Sequence, residues 1–172
     1  MKDYLKFKEK IDYSFQKYNE KVAIEYLLEN GEKKEFHFGK IYQEILFFSK
    51  VMEEHGLKAG DRVAILTPHS PYGIVTCIAC AYWNLTSVLF DVSLPEQEIK
   101  RLLELSDVRA IFTTNKFCKM ECVKQYFNIT VFDIEKENFS YPVFEGFSHT
   151  VKMEPTKDPE DEVIAILFSS GT

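Results

Sequence analysis

Short apolar runs alternate with longer amphipathic segments from residue 40 onward, and this alternation is the feature that most constrains the fold. The runs have the length of buried β-strands and fall at residues 62–66, 87–91, 109–113, 129–134 and 163–168. Helical patterns precede or separate them at residues 40–55, 70–83, 95–105 and 116–126. Short strand-to-helix connections imply right-handed crossovers between neighbouring parallel strands. The sequence therefore predicts an α/β fold with a mainly parallel sheet and helices on both faces.

Residues typical of helix ends support two of the predicted helices. Ile41, Ile45, Phe48 and Met52 repeat on one helical face, and Gly56 stands where a helix commonly ends in the left-handed conformation. Ser70-Pro71 resembles a helix start, with Ser as the N-cap and Pro at the first helical position. The helix after Ser70 is apolar on nearly every side, so we expect it to be buried, with Trp83 in the core.

A β-hairpin is predicted ahead of the sheet. Residues 4–19 read as a charged amphipathic helix, after which Val22, Ile24 and Tyr26 alternate with polar residues as a half-buried strand does. Asn30-Gly31 follows, and Phe36 and Phe38 alternate on the return. Asn-Gly between two alternating runs favours a hairpin because both residues tolerate positive φ.

Composition excludes several classes of protein. The chain has 172 residues and a net charge of −6, from 21 Lys and Arg against 27 Asp and Glu, without a basic block, so no nucleic-acid partner is expected. No run reaches the roughly 18 apolar residues of a membrane span. The N-terminus lacks the apolar core of a signal peptide, and four scattered cysteines do not make a disulfide framework. These features predict a cytoplasmic protein.

Other candidate site residues favour structural roles. Four cysteines could together bind zinc: Cys77, Cys80, Cys118 and Cys122. Because the first two lie inside an apolar run, we expect buried thiols and no metal. His69 and Asp91 follow predicted strands, at a sheet end where a ligand could reach them, but a turn role is favoured over ligand binding for both. The aperiodic segment 137–161 is predicted to be a surface connection, and the acidic residues 160–162 a solvated loop.

The last predicted strand leads into Ser169, Ser170, Gly171 and Thr172. In parallel sheets, ligands bind beyond the carboxyl ends of the strands, and small residues let backbone N–H groups approach phosphate oxygens. Neither GxxxxGK[ST] nor GxGxxG occurs, so no Walker or dinucleotide motif is present. On these four residues alone, a polar turn after an edge strand is the favoured interpretation, and a phosphate-binding loop is the alternative.

The order of motifs along the whole chain resembles the N-terminal part of the adenylate-forming enzymes. GLKAGDRVAIL, the Ser70-Pro71 helix start, PEQEIKRLLELSDVRAIFTT and DPEDEVIAILFSSGT carry the resemblance. Phe168 to Thr172 match the first half of that family's loop [YF]-[TS]-S-G-[TS]-[TS]-G-x-P-K-G. The resemblance implies that residues 1–172 form a partial N-terminal domain ending inside the phosphate-binding loop. It assigns ATP phosphate binding to Ser169, Ser170, Gly171 and Thr172, and no catalytic residue or metal ligand to this chain.

The activity that this resemblance implies is AMP-forming acid–thiol ligation. ATP with Mg²⁺ would activate a small-molecule carboxylic acid, and CoA or a carrier-protein thiol would accept the acyl group. FSSGT and VLFDVSLP favour an acyl-CoA synthetase acting on a fatty or other simple acid. Two alternatives remain: an amino-acid-activating adenylation domain of a peptide synthetase, and a non-catalytic flavodoxin-like binding domain. The 172-residue chain alone is predicted to be inactive.

Overall fold

The computed structural model describes residues 2–28, 30–125, 129–135, 141–142 and 163–168, with residues 2–6 as helical backbone alone. The helices are α1 (Lys2–Lys17), α2 (Phe38–His55), α3 (Pro71–Tyr82), α4 (Glu96–Ser106) and α5 (Glu121–Lys124). The strands are β1 (Val22–Leu27), β2 (Lys33–His37), β3 (Arg62–Leu66), β4 (Thr86–Leu89), β5 (Ala110–Thr113), β6 (Thr130–Asp133) and β7 (Ala165–Leu167). None of the described helices is long and apolar enough to cross a membrane.

The main sheet has five parallel strands in the order β6-β5-β3-β4-β7. Its two faces bury separate apolar clusters. Helices α2 and α3 contribute to the cluster on one face, and α4 and α5 contribute to the cluster on the other. The α/β class and the parallel sheet with helices on both faces, predicted from the alternation of segments, are confirmed.

The predicted hairpin is also present. Strands β1 and β2 pair antiparallel, and Gly31 between them has φ of +85°, the backbone region that glycine enters without a steric penalty. Phe36 is buried and packs edge-to-face against Tyr72 of α3, which attaches the hairpin to the helical layer. Phe38 was expected in the returning strand, and this is wrong: it is the first residue of α2.

The helix predicted over residues 116–126 is much shorter than expected. Thr114 accepts hydrogen bonds from the N–H groups of both Phe117 and Cys118, so the chain turns there, and α5 begins only at Glu121. Burial of Phe117 and Cys118 against α4 holds this turn in place. Residues 126–128 lie outside the described residues. Tertiary packing therefore replaced a continuous helix with a turn and one short helix.

Part of the predicted surface connection is buried. Tyr141 is almost fully enclosed, its ring centroid lies 5.1 Å from that of Phe48, and its hydroxyl lies 3.3 Å from Thr76 Oγ1. The carbonyl of the next residue, Pro142, accepts a hydrogen bond from Asp133 N–H at the end of β6. The expectation of a surface segment is wrong here, because Tyr141 fills the space between α2 and α3. The rest of residues 137–161, and the acidic residues 160–162, lie outside the described residues.

Candidate functional site

The ends of three neighbouring strands form one edge of the sheet. Ile65 of β3 pairs in register with Leu89 of β4, and Leu89 pairs with Leu167 of β7. Because the strands are parallel, the segments that follow them begin side by side. These segments are Thr67 to Ser70 after β3, Phe90 to Val92 after β4, and Phe168 after β7. Ligands of open α/β sheets bind at this carboxyl edge.

Phe168 occupies a defined position at this edge. Its ring centroid lies 5.7 Å from that of Phe90, in an edge-to-face arrangement. The contact positions the residue that immediately precedes Ser169. The predicted phosphate-binding residues Ser169, Ser170, Gly171 and Thr172 lie outside the described residues, so their role stays a prediction.

Two adjoining cavities open along the edge. The first, of about 300 Å³, lies between α3 and the ends of β3 and β4, and is lined largely by apolar side chains. The second, of about 440 Å³, reaches from His69 across Asp91 to Leu167 and Phe168. The two share a wall made of Thr67, Pro68, His69, Leu89 and Phe90. The site therefore offers an apolar recess and a more polar groove that leads to the end of β7.

The first turn of α3 forms one rim of the apolar cavity. Ser70 is the N-cap, and its Oγ accepts a hydrogen bond from Gly73 N–H at 3.2 Å, as the sequence predicts. Among the described residues, the buried Oγ1 of Thr67 has no hydrogen-bond partner. Thr67 is also one of the residues that line both cavities.

His69 and Asp91 both lie where strands end, as expected for turn residues. Asp91 Oδ1 accepts a hydrogen bond from Ser93 N–H at 2.8 Å, which closes a turn after β4. That turn lowers the pKa of Asp91, with a smaller contribution from the nearby His69. The structural role of Asp91 is confirmed. His69 precedes the N-cap of α3 and also lines both cavities, which is the ligand-accessible position that the sequence offered as the alternative to a turn role.

The cysteines are divided between the two faces of the sheet. Cys77 and Cys80 belong to the cluster that includes α3, whereas Cys118 and Cys122 belong to the cluster beneath α4. The sheet thus separates the two pairs, which argues against a shared metal site. Burial raises the pKa of Cys77 and of Cys122 to about 11. The four thiols are free, and no group of three or more potential metal ligands occurs among the described residues.

Helix α3 is less buried than its sequence predicts. Ile74 is 48% exposed, and Cys77 and Ile78 are half-buried, because they line the open apolar cavity. Trp83 is also only partly buried, and its indole N–H donates to the carbonyl of Ile45 at 2.7 Å. The cavity itself could not be located from the sequence, although the Pro68-His69-Ser70 break between β3 and α3 indicates where the chain turns at the edge.

Comparison with known proteins identifies the family. The family described as AMP-binding enzyme matches residues 11–172, which is nearly the whole chain. The chain belongs to the AMP-binding enzyme family. Its resemblance to the N-terminal part of adenylate-forming enzymes is thereby confirmed.

Relatives within the AMP-binding family are much longer than this chain. The 2-succinylbenzoate–CoA ligase of Oceanobacillus iheyensis is 25% identical over 153 residues, covering 89% of this chain and 29% of the ligase. An acetyl-coenzyme A synthetase of Paraburkholderia phymatum is 31% identical over 93 residues, covering 54% of this chain and 14% of the synthetase. The sequence therefore spans less than a third of either relative.

Solved structures of this family share the fold. The O-succinylbenzoate coenzyme A synthetase from Bacillus subtilis, in complex with AMP, has a TM-score of 0.69 and 18% identity, covering 94% of this chain and 39% of that one. McyG A-PCP, complexed with phenylalanyl-adenylate, has a TM-score of 0.70 and 18% identity, covering 95% of this chain and 30% of that one. At this identity the likeness establishes the fold.

Proposed function

We propose that this chain is the leading part of an ATP-dependent ligase that activates a carboxylic acid by adenylation. The observation that carries the proposal is the family match over residues 11–172 together with the place of β7. That strand ends at the carboxyl edge of the parallel sheet, and Phe-Ser-Ser-Gly-Thr follows from residue 168. A phosphate-binding loop in this family needs such a strand to present its backbone N–H groups to a ligand.

The proposed reaction has two steps. An oxygen of the substrate carboxylate attacks the α-phosphorus of ATP, the bond to the bridging oxygen breaks, and pyrophosphate leaves with that electron pair. A thiol then loses its proton and its sulfur attacks the carbonyl carbon of the acyl-adenylate. The bond from the carbonyl carbon to AMP breaks, which releases AMP and leaves a thioester. Adenylation is needed because a free carboxylate is a poor electrophile.

Ser169, Ser170, Gly171 and Thr172 are proposed to hold the β- and γ-phosphates of ATP. Their hydroxyl and N–H donors would stabilise the negative charge that gathers on the departing pyrophosphate. Mg²⁺ would accompany ATP as its counterion, and the described residues assign it no ligand. The thiol acceptor is proposed to be CoA or a carrier protein.

A fatty or other simple acid is the proposed substrate class. Long-chain-fatty-acid–CoA ligase 1 of Schizosaccharomyces pombe and the acetyl-coenzyme A synthetases among the relatives support it. The likeness to McyG A-PCP supports amino-acid activation as the second candidate. The four free thiols support a reducing cytoplasm as the setting.

ATP–pyrophosphate exchange by the complete gene product tests the proposal. Fatty, aromatic and amino acids are supplied in turn, with CoA omitted so that only adenylation is measured. We expect exchange with one class of acid. Ser170→Ala should lower the exchange rate by about 100-fold, the usual effect of removing one donor to a developing charge.

Ser49→Ala is the matched control, since Ser49 lies on α2 and its Oγ donates to the Leu46 carbonyl of the same helix. It should leave the exchange rate unchanged. Folded protein that shows no exchange with any acid would overturn the adenylation proposal. Exchange that survives Ser170→Ala unchanged would overturn the role of that residue.

A further inference from the structure

Phe90, the residue after β4, is held in place by both its backbone and its side chain. Its N–H donates to the carbonyl of Ile65 at 3.1 Å, so the hydrogen bonding between β3 and β4 continues one residue beyond Leu89. Its ring is 6% exposed and packs in the apolar cluster beneath α4. The ring of Phe90 is therefore a fixed feature of the carboxyl edge.

Phe168, the residue after β7, is held less firmly. It is 38% exposed, and the three-residue strand before it pairs with β4 alone among the described strands. Because Leu89 and Leu167 are register partners, Phe90 and Phe168 follow as the next two residues side by side. Their rings meet edge to face, with centroids 5.7 Å apart. In this pair, Phe90 is the anchored member and Phe168 the member that it supports.

The position of Phe168 bears directly on the loop that follows. Ser169 comes next in the chain, and the two residues share one planar peptide group, so a shift of the Phe168 Cα carries the Ser169 nitrogen with it. Groups that hold a substrate for reaction tolerate little displacement, since about 1 Å can cost about 100-fold in rate. A contact that fixes Phe168 therefore also fixes where the loop starts.

We propose that Phe90 is a positioning residue for the phosphate-binding loop, which it orients through the ring of Phe168. The inference rests on the proposed function, because that function gives Ser169 to Thr172 their ligand. It extends the ATP site from β7 to the end of the neighbouring strand β4. Phe90 acts through Phe168, so its loss should weaken ATP binding and leave binding of the acid unaffected.

ATP titration of the complete gene product tests the proposal, with the acid that the exchange screen identifies. Phe90→Leu keeps an apolar side chain in the cluster and removes the ring. We expect the KM for ATP to rise about three- to tenfold, as for the loss of one aromatic pair, and the KM for the acid to stay within about twofold. Phe168→Leu should have the same effect. The double variant should be no worse than either single variant, because all three lack the same ring pair.

Phe117→Leu is the matched control. Phe117 is 7% exposed and belongs to the same apolar cluster, but it lies in the turn before α5. We expect this variant to lose stability in urea much as Phe90→Leu does and to keep both KM values. An equal rise of both KM values in Phe90→Leu and Phe117→Leu would overturn the proposal, because Phe90 would then act on stability alone. Additive effects of Phe90→Leu and Phe168→Leu would also overturn it.

Hydrogen–deuterium exchange of the ligand-free protein makes the test independent of activity. The peptide that contains residues 168–172 should exchange at least about threefold faster in Phe90→Leu than in the wild type, and at the wild-type rate in Phe117→Leu. Equal exchange in the wild type and Phe90→Leu would overturn the proposal whatever the activity. Absence of pyrophosphate exchange in the wild type would overturn the proposed function instead, and the deuterium comparison would still decide whether Phe90 orders the chain after β7.

Discussion

At the scale of single residues, Gly73 of α3 lies close to Thr67, the residue that follows β3. A Cβ at this position would lie 2.7 Å from Thr67 Cγ2, a distance at which one of the two must move. We expect Gly73→Ala to lower the free energy of unfolding by about 1 kcal/mol. The overpacking cost of roughly 1–3 kcal/mol exceeds the gain in helix propensity of about 1 kcal/mol. Urea unfolding followed by circular dichroism measures the difference.

Thr67→Ser supplies the control for that prediction. It removes the methyl group that an added Cβ would meet and keeps the hydroxyl. In the Thr67→Ser background, Gly73→Ala should become neutral or stabilising. An equal loss in both backgrounds would show that the methyl contact is not the cause.

His55 is the residue whose titration should be visible in the stability of the fold. It ends α2 and packs edge-on against Phe132 at 4.8 Å, and burial lowers its pKa below the ordinary value of 6.5. The folded protein therefore resists a proton that the unfolded chain accepts. The contribution of His55 is complete above pH 6.5 and is lost as the pH falls from there through the folded pKa. Between pH 7.5 and 5.5, the unfolding free energy should fall more in the wild type than in His55→Gln, as measured by urea titration at both pH values.

At the scale of elements, one carboxylate of α1 joins this helix to both α2 and α3. Asp12 Oδ1 accepts hydrogen bonds from Tyr42 of α2 at 2.8 Å and from Tyr82 of α3 at 2.7 Å. Asp12→Ala should lower the unfolding free energy by about 2 kcal/mol, because hydrogen bonds to a charged group contribute about 1.5–3 kcal/mol and this site is partly exposed. Glu9→Ala, an exposed position on the same helix, should change it by less than about 0.5 kcal/mol. Thermal unfolding of both variants decides whether α1 is held by this contact.

Elements defined by a local pattern were predictable from the sequence. The face of α2 follows the spacing of Ile41, Ile45 and Phe48, all of them buried, and Gly56 ends the helix with φ of +68°. Elements defined by distant contacts were not predictable. Tyr141 is buried only because α2 and α3 leave room for its ring, and α5 is short because its preceding turn packs on α4. Such contacts join residues far apart in the chain, where hydrophobic periodicity carries no information.

The candidate site shows the same limit. The strand ends could be placed from the sequence, since three apolar runs each stop before polar or turn residues. The two cavities depend on how far α3 stands from β4 and on the ring contact between Phe90 and Phe168. Neither quantity is encoded in local spacing. For His69, the sequence placed the residue at a strand end that a ligand could reach, but favoured a turn role and did not predict the two cavities that it lines.

At the scale of the whole molecule, β7 is the outermost strand on one side of the described sheet, and this strand should govern self-association of the chain. An exposed apolar edge strand offers unpaired backbone groups and apolar side chains to another chain. We expect the isolated 172-residue chain to self-associate in size-exclusion chromatography as its concentration rises. Leu167→Lys should shift it toward the monomer, and Leu27→Lys should not. A compact monomer at all concentrations would contradict this expectation.

The same isolated chain is predicted to lack adenylation activity. Its sequence holds the first half of the family's phosphate loop, and half a loop does not hold ATP in line for attack. Pyrophosphate release should stay at the background level with every acid that the complete gene product accepts. Acid-dependent release by residues 1–172 alone would contradict the prediction.

The position of β7 in the sheet also has a consequence for biosynthesis. Thr86 Oγ1 donates to the carbonyl of Val163, 77 residues later in the chain. At about 5–20 residues per second, a ribosome needs on the order of 4–15 s to make that interval. Strands β3 to β6 are complete before β7 is made, so β4 waits on the ribosome as a temporary sheet edge. Until β7 is made, the backbone N–H and C=O groups of β4 on that side have no strand to pair with.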